Sequence, residues 1–374
     1  LTRSLITLLT AIALSPLAAA QTPHIDPATP PANLTPLPFS IGGRVLIQDD
    51  ASQPSFGAKL YTFQWPGTYF EAAFNGTEVY FRVGSGKQHL HVNVDQQPTL
   101  ILTQPATGVY LLSGLTPAKH TVRITVVSET ASNAENFGGF ALLPSEKAVA
   151  LKPRTRQIEF IGDSYTVGAG NTSPGPDCTA DEIWSYTDNS KAYGALTALH
   201  YDADYQVNAI SGRGMARNYN GGHSDTVPVV YPFVLFDKKT PYHDPTWQPR
   251  VIVISLGTND FTTKLHDGEP WKTRDDQQTA YEDTYIRFLK MLRANNPKAF
   301  LIVWATGSAE IQSEASTVVD KFKMLGETRI AYLSVPDLKR DACLTHPNTA
   351  DNEIVSKKLI QLIDQTPGIW QTTP

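Results

Sequence analysis

From residue 39 to about residue 143 the chain alternates apolar and polar positions at the period of a β-strand. Phe70, Ala72 and Phe74 alternate, Asn75-Gly76 follows, and then Val79, Phe81 and Val83 alternate, which predicts a hairpin closed at Asn-Gly. Val92 with Val94, and Val122 with Ile124 and Val126, add further short strands, and no long helical period interrupts them. Such a run predicts a β-sandwich over residues 39–148. Past Lys152-Pro153-Arg154 the period changes. Apolar runs at 158–161, 251–256 and 300–304 read as buried strands, and 192–200 and 277–293 read as helices. In the second helix Tyr281, Tyr285, Phe288, Leu289 and Leu292 share one face. Ile354, Val355, Leu359, Leu362 and Ile363 give a last amphipathic helix. Alternating strands and helices predict an α/β domain over 155–374 with a parallel sheet covered on both faces.

Composition changes this picture at the N-terminus. Arg3, the apolar stretch from Leu5 to Leu14 and Ala18-Ala19-Ala20 have the order of a signal peptide over residues 1–20. Its apolar part is too short to span a bilayer. Residues 21–38, rich in Pro, Thr and Ala, read as a flexible leader outside the core. The expected location is secreted or periplasmic. Losing Arg3 takes the net charge from −5 to −6, without the basic patch of a nucleic-acid binder. The two cysteines, Cys178 and Cys343, read as one disulfide in an oxidising compartment, and neither has a neighbour at structural-zinc spacing.

The chemistry concentrates at predicted strand ends, where open α/β sheets bind ligands. Phe160-Ile161-Gly162-Asp163-Ser164 sets a serine directly after an apolar strand. A serine hydroxyl needs a base, and among nine histidines His346 stands before Pro347 and a helix, on a strand-to-helix loop. Attack on an ester also needs donors for the oxyanion. The Ser164 N–H, a glycine N–H in Ser211-Gly212-Arg213-Gly214 and the amide of Asn259 in Gly257-Thr258-Asn259-Asp260 are candidates. His89 and His91 share a strand face but lack a third metal ligand, and an exposed strand is the expectation there. Thr166 departs from G-x-S-x-G, and Gly168 and Gly170 open no dinucleotide fingerprint.

Gly162-Asp163-Ser164, the glycine after Ser211, Gly257-Thr258-Asn259-Asp260 and His346-Pro347 resemble the four blocks of the SGNH (GDSL) hydrolases. With a β-sandwich ahead of them, they resemble carbohydrate esterase family 2. The resemblance implies a flavodoxin-like three-layer α/β/α sandwich preceded by a jelly roll. It also implies removal of O-acetyl groups from polysaccharides such as xylan or glucomannan, with no cofactor and no metal. Carried over, Ser164 is the nucleophile and His346 the base, and the oxyanion hole comprises Ser164, Gly212 and Asn259. Gly212 is preferred to Gly214 because the block's glycine follows a small residue at the strand end. The acid expected three residues before the histidine is replaced by Cys343. Within this family a backbone carbonyl can orient the imidazole. Asp341 is the nearest acid and a possible orienter. Trp184, Tyr186 and Trp304 are candidate sugar platforms. The expected partner is an acetylated polysaccharide or oligosaccharide, with no nucleic acid and no membrane span, and the sequence assigns no oligomeric state. The alternatives are an esterase or lipase of the same superfamily acting on another ester, and a non-catalytic glycan-binding protein.

Overall fold

The computed structural model describes residues 22–371 apart from 96, 131 and 132, so the predicted signal peptide lies outside the described residues. Two antiparallel sheets form the first domain. One contains, in order, strands His24–Pro27, Gly108–Ser113, Val79–Val83, Glu135–Leu142, Lys59–Phe63 and Val45–Asp49. The other contains Lys147–Val149, Tyr69–Gly76, Ala118–Val126, His89–Val94 and Leu100–Thr103. Phe63, Phe70, Phe81, Phe137 and Phe140 fill the space between them, with Phe70 stacked on Phe137 at 4.2 Å.

Two expectations fail here. The predicted hairpin is absent, because Tyr69–Gly76 and Val79–Val83 belong to different sheets. A two-residue Asn-Gly turn needs positive φ at both residues, and neither Asn75 nor Gly76 has it. Residues 77 and 78 instead cross between the sheets, which keeps both Phe74 and Val79 in the core. The leader assigned to 21–38 is also not outside the fold. His24–Pro27 pairs with Gly108–Ser113, Thr35–Leu37 pairs with Glu135–Leu142, and Leu37 is buried in the core. Prolines are tolerated because both strands are edges, where a missing N–H breaks no ladder.

The second domain has five parallel strands, β1 (Gln157–Gly162), β2 (Asp204–Ala209), β3 (Val251–Ser255), β4 (Phe300–Ala305) and β5 (Ile330–Ser334). Their order, β2-β1-β3-β4-β5, is the flavodoxin-like order, whose switch point lies beside β1. Helices Tyr193–His200 and Thr349–Asp364 pack together on one face, and Arg274–Asn295 and Ala309–Met324 on the other. Among the described residues no helix is long and apolar enough to cross a membrane.

The domains meet over a polar interface. Strand Tyr69–Gly76 turns Phe70 and Phe74 into the sandwich core, while Tyr69 donates to Asp204 at 2.7 Å and Glu71 accepts from Arg154 at 2.9 Å. Arg44, from the first domain, is paired with Glu159 of β1 at 3.2 Å, with side chains only 2% and 1% exposed. Arg44 also donates to the Tyr231 carbonyl and Gln206, while Glu159 accepts from Tyr231 and Asn208. Removing one partner of such a pair strands the other charge. Arg44→Ala is therefore expected to lower the unfolding free energy by about 3–5 kcal/mol, which a denaturant titration would read.

Candidate active site

Gly162 ends β1 and Ser164 begins a single helical turn, Ser164–Val167. Gly162 is needed for space: a Cβ there would lie 2.0 Å from Thr166 Oγ1 and 2.8 Å from the Ser255 carbonyl. Asp163 caps the turn, its Oδ1 accepting the Tyr165 N–H at 3.0 Å. The Ser164 N–H, first in the helix, has no acceptor within it. Burial pushes the Asp163 carboxyl up to about 7, with the charge of Asp260 adding to the shift. Folding therefore binds a proton there, so this group's contribution to stability declines as pH rises from the ordinary carboxylate range to about 7.

The loop after β2 carries Ser211, Gly212 and Gly214. Gly212 has φ of 76°, and its N–H finds no acceptor among the described residues. The Gly214 N–H is already committed to Asn218 Oδ1 at 3.1 Å. Only the first glycine therefore keeps a free donor. Asn259 follows β3, and its amide donates to the Arg213 carbonyl at 2.8 Å and to Asp163 Oδ2 at 3.2 Å. Asp260 accepts from the amides of Met215, Ala216 and Arg217 at 2.8–2.9 Å. It thereby ties the loop after Gly212 to the end of β3, a role that sequence reasoning missed.

His346 lies on the loop between β5 and the last helix. Its Nδ1 is 2.7 Å from the Cys343 carbonyl. A carbonyl can only accept, so Nδ1 carries the proton and Nε2 keeps its lone pair. Burial pulls the imidazole pKa below its ordinary value, while the Cys343 and Leu344 carbonyls act in the opposite direction. Tyr165 packs edge-on against the ring at 5.4 Å. Leu344 and Thr345 have φ of 51° and 60°. Two successive side-chain-bearing residues in the left-handed region carry strain that the surroundings must hold. They do so through the Cys178–Cys343 disulfide, a Leu344 N–H to Pro176 carbonyl bond at 2.8 Å and a Cys343 N–H to Ser173 bond at 2.8 Å.

Ser164, Gly212, Asn259 and His346 line one cleft of about 740 Å³. Among the described residues Ser164 Oγ makes no direct hydrogen bond to the His346 ring, and in free enzymes such contacts often tighten only with substrate. Asp341 is not an orienter in this arrangement. It is exposed, accepts from the Asn348 side chain, and finds Nδ1 of His346 already taken by Cys343. The candidate sugar platforms lie outside the cleft. Trp304 is buried against Tyr193 at 5.1 Å, and Trp184 donates from the domain interface to the Glu129 carbonyl at 3.0 Å. Tyr186 is absent from the cleft wall as well. Exposed Tyr219 and Leu344 stand there instead, together with Glu129 from the first domain. The strand of His89 and His91 is not an exposed one: His89 packs on Trp184 at 4.3 Å and His91 contacts Ser190 at 3.2 Å, both across the domain interface.

Residues 42–151 match the carbohydrate esterase 2 N-terminal family, and residues 160–351 the GDSL-like lipase/acylhydrolase family. The chain is 40% identical over 338 residues to an acetylxylan esterase / glucomannan deacetylase of Cellvibrio japonicus, covering 90% of this chain and 93% of that one. It is also similar to a solved carbohydrate esterase whose active site displays divergent catalytic and non-catalytic binding functions. The TM-score is 0.85 at 39% identity, over 90% of this chain and 100% of the other. A family two carbohydrate esterase from Clostridium thermocellum, solved with cellohexaose, aligns with TM-score 0.74 at 26% identity over 89% and 100% of the two chains. The chain is therefore a carboxylic ester hydrolase and belongs to carbohydrate esterase family 2.

Proposed function

We propose that this is a secreted esterase that removes O-acetyl groups from polysaccharides such as xylan or glucomannan through an acetyl-Ser164 intermediate. One observation carries the reading: a nucleophile, a correctly tautomerised base and two further donors line a single cleft. The substrate class follows the Cellvibrio relative, and the bonded Cys178–Cys343 pair supports an oxidising compartment.

Ser164 Oγ attacks the acetyl carbonyl while His346 Nε2 takes its proton. The imidazolium stays held through its Nδ1–H on the Cys343 carbonyl. The oxyanion accepts from the Ser164 and Gly212 N–H groups and from Asn259. Both amide protons of Asn259 are engaged in the free enzyme, so the oxyanion takes over the longer contact, to Asp163. A donor of this kind is worth about 3–4 kcal/mol in the transition state. The sugar hydroxyl leaves with the proton from His346. Water, deprotonated by the same nitrogen, then attacks the acetyl-serine and releases acetate.

Acetate release from acetylated xylan and glucomannan, followed against pH, tests the reading. The base must be neutral, and its pKa is lowered by burial, so activity should persist on the acid side of the ordinary histidine value. The acid limb of kcat/KM is expected below about pH 6.5. A limb near 7 would implicate Asp163 instead, and absence of acetate would remove the reading.

The disulfide gives a second expectation, because it anchors the residue whose carbonyl holds the base. Cys178→Ser should lower kcat about tenfold or more by letting His346 shift. It should also lower the unfolding free energy by about 2–5 kcal/mol. Initial rates taken well below the melting transition separate the two effects, and an unchanged kcat would free His346 from the bridge.

A further inference from the structure

Among the described residues, the first domain reaches the cleft through one side chain. Strand Ala118–Val126 continues into residues that dock on the second domain, where Asn189 donates its N–H to the Val127 carbonyl at 2.9 Å. Two residues further on, the Trp184 indole holds the Glu129 carbonyl at 3.0 Å. The Glu129 side chain is thereby aimed into the cleft wall, where Oε1 accepts the Ser211 N–H at 2.7 Å. The next residue is Gly212. Nothing lies within 4 Å of where its Cβ would be. Hydrogen bonds hold it on either side: Glu129 on the Ser211 N–H, the Tyr219 N–H on the Gly212 carbonyl at 2.9 Å, the Arg213 N–H on the Ile210 carbonyl at 3.3 Å and the Asn259 amide on the Arg213 carbonyl at 2.8 Å.

We propose that Glu129 is a positioning residue for the reaction, fixing the Ser211–Gly212 backbone so that the Gly212 N–H faces the reacting carbonyl. The sandwich domain is then part of the catalytic apparatus and not only a support. The inference rests on the reading of Gly212 as an oxyanion donor. The feature that matters is the acceptor oxygen, not the charge. Burial pushes the carboxyl up, opposed by its bond to the Ser211 N–H and by Arg213, and a glutamine amide presents the same acceptor.

The test uses the full chain and an acetyl ester substrate, with kcat and KM read separately. Glu129→Ala should lower kcat about tenfold to a hundredfold, the scale of a donor displaced by about 1 Å. KM should stay within about threefold, since the interaction lost is one made in the transition state. Glu129→Gln should restore kcat to within about threefold of wild type. Glu129→Asp, one methylene shorter, withdraws the acceptor while keeping the acid, and carries the same expectation as alanine should the alanine variant not fold. Wild-type kcat in both Glu129→Ala and Glu129→Asp would overturn the proposal. So would equal losses in the Ala and Gln variants, or a raised KM at constant kcat, which would mark a substrate contact. Retained activity in Ser164→Ala would instead sink the underlying reading, whatever the Glu129 variants do.

Discussion

His346→Ala should lower kcat/KM by about 10⁴-fold or more, the cost of removing the base from a serine site. Asp341→Ala should leave it within about threefold, as expected for an exposed side chain with no contact to the reacting groups. The contrast follows from where the two side chains are engaged. The ring proton at Nδ1 goes to the Cys343 carbonyl at 2.7 Å, and the Asp341 carboxylate accepts from Asn348 at the surface. A neutral carbonyl fixes the tautomer and the ring plane as a carboxylate would. It stabilises the imidazolium less, and burial of the ring adds to that penalty. The site compensates through geometry: the strained Leu344–Thr345 turn, the disulfide and the bond to Pro176 leave the imidazole little freedom. Steady-state kinetics of the two variants on one acetyl ester would decide the point. Comparable losses in both would make this a triad rather than a dyad.

Much of the second domain was legible because its strands and helices carry clean periods. Strands β1, β3 and β4, and the buried face of Tyr281, Tyr285, Phe288, Leu289 and Leu292, lie where periodicity puts them. Strand β2 was not visible in the same way. It is an edge strand that interleaves Gln206 and Asn208 with Tyr205 and Val207, and its polar side chains are buried against Arg44, Tyr242 and Glu159 at the domain interface. No local pattern announces a polar residue whose partner lies on another domain. The Asn75-Gly76 dipeptide misled for a related reason. Turn chemistry is local, whereas the choice between pairing within a sheet and crossing to the opposite one is made by the core that Phe74 and Val79 share.

The proposed site residues could be picked out because they fall in the connections that follow strands, in blocks with a recognisable order. What surrounds them could not be. Glu129 follows an ordinary sandwich strand in the run Ser128-Glu129-Thr130, with no motif to mark it. Its relevance depends entirely on how two domains dock. Tyr219 and Leu344 at the cleft, and the burial of Trp304 against Tyr193, are likewise unmarked by any motif, although they are set within the second domain itself. The Cys-for-Asp departure at 343 was visible in the sequence, as were a backbone carbonyl as orienter and a bridge to Cys178, but not that one residue would serve both. The residue that replaces the acid supplies both the orienting carbonyl and the sulfur that anchors it.

Ser164→Ala should lower acetate release by about 10⁴–10⁶-fold, leaving only what the oxyanion donors and binding can do without a nucleophile. The substitution removes one oxygen from a buried position and leaves the turn capped by Asp163. The fold, the cleft and affinity for the glycan should therefore persist, and the loss should fall on kcat. A water attacking directly, with His346 as its base, would leave Ser164→Ala substantially active, so the variant separates covalent from direct hydrolysis. The decisive measurement is acetate released from acetylated xylan by wild type and by Ser164→Ala at equal concentration of folded protein. Release by the wild type with none above background in the variant is the predicted result, and comparable release by both would contradict a serine-based deacetylase.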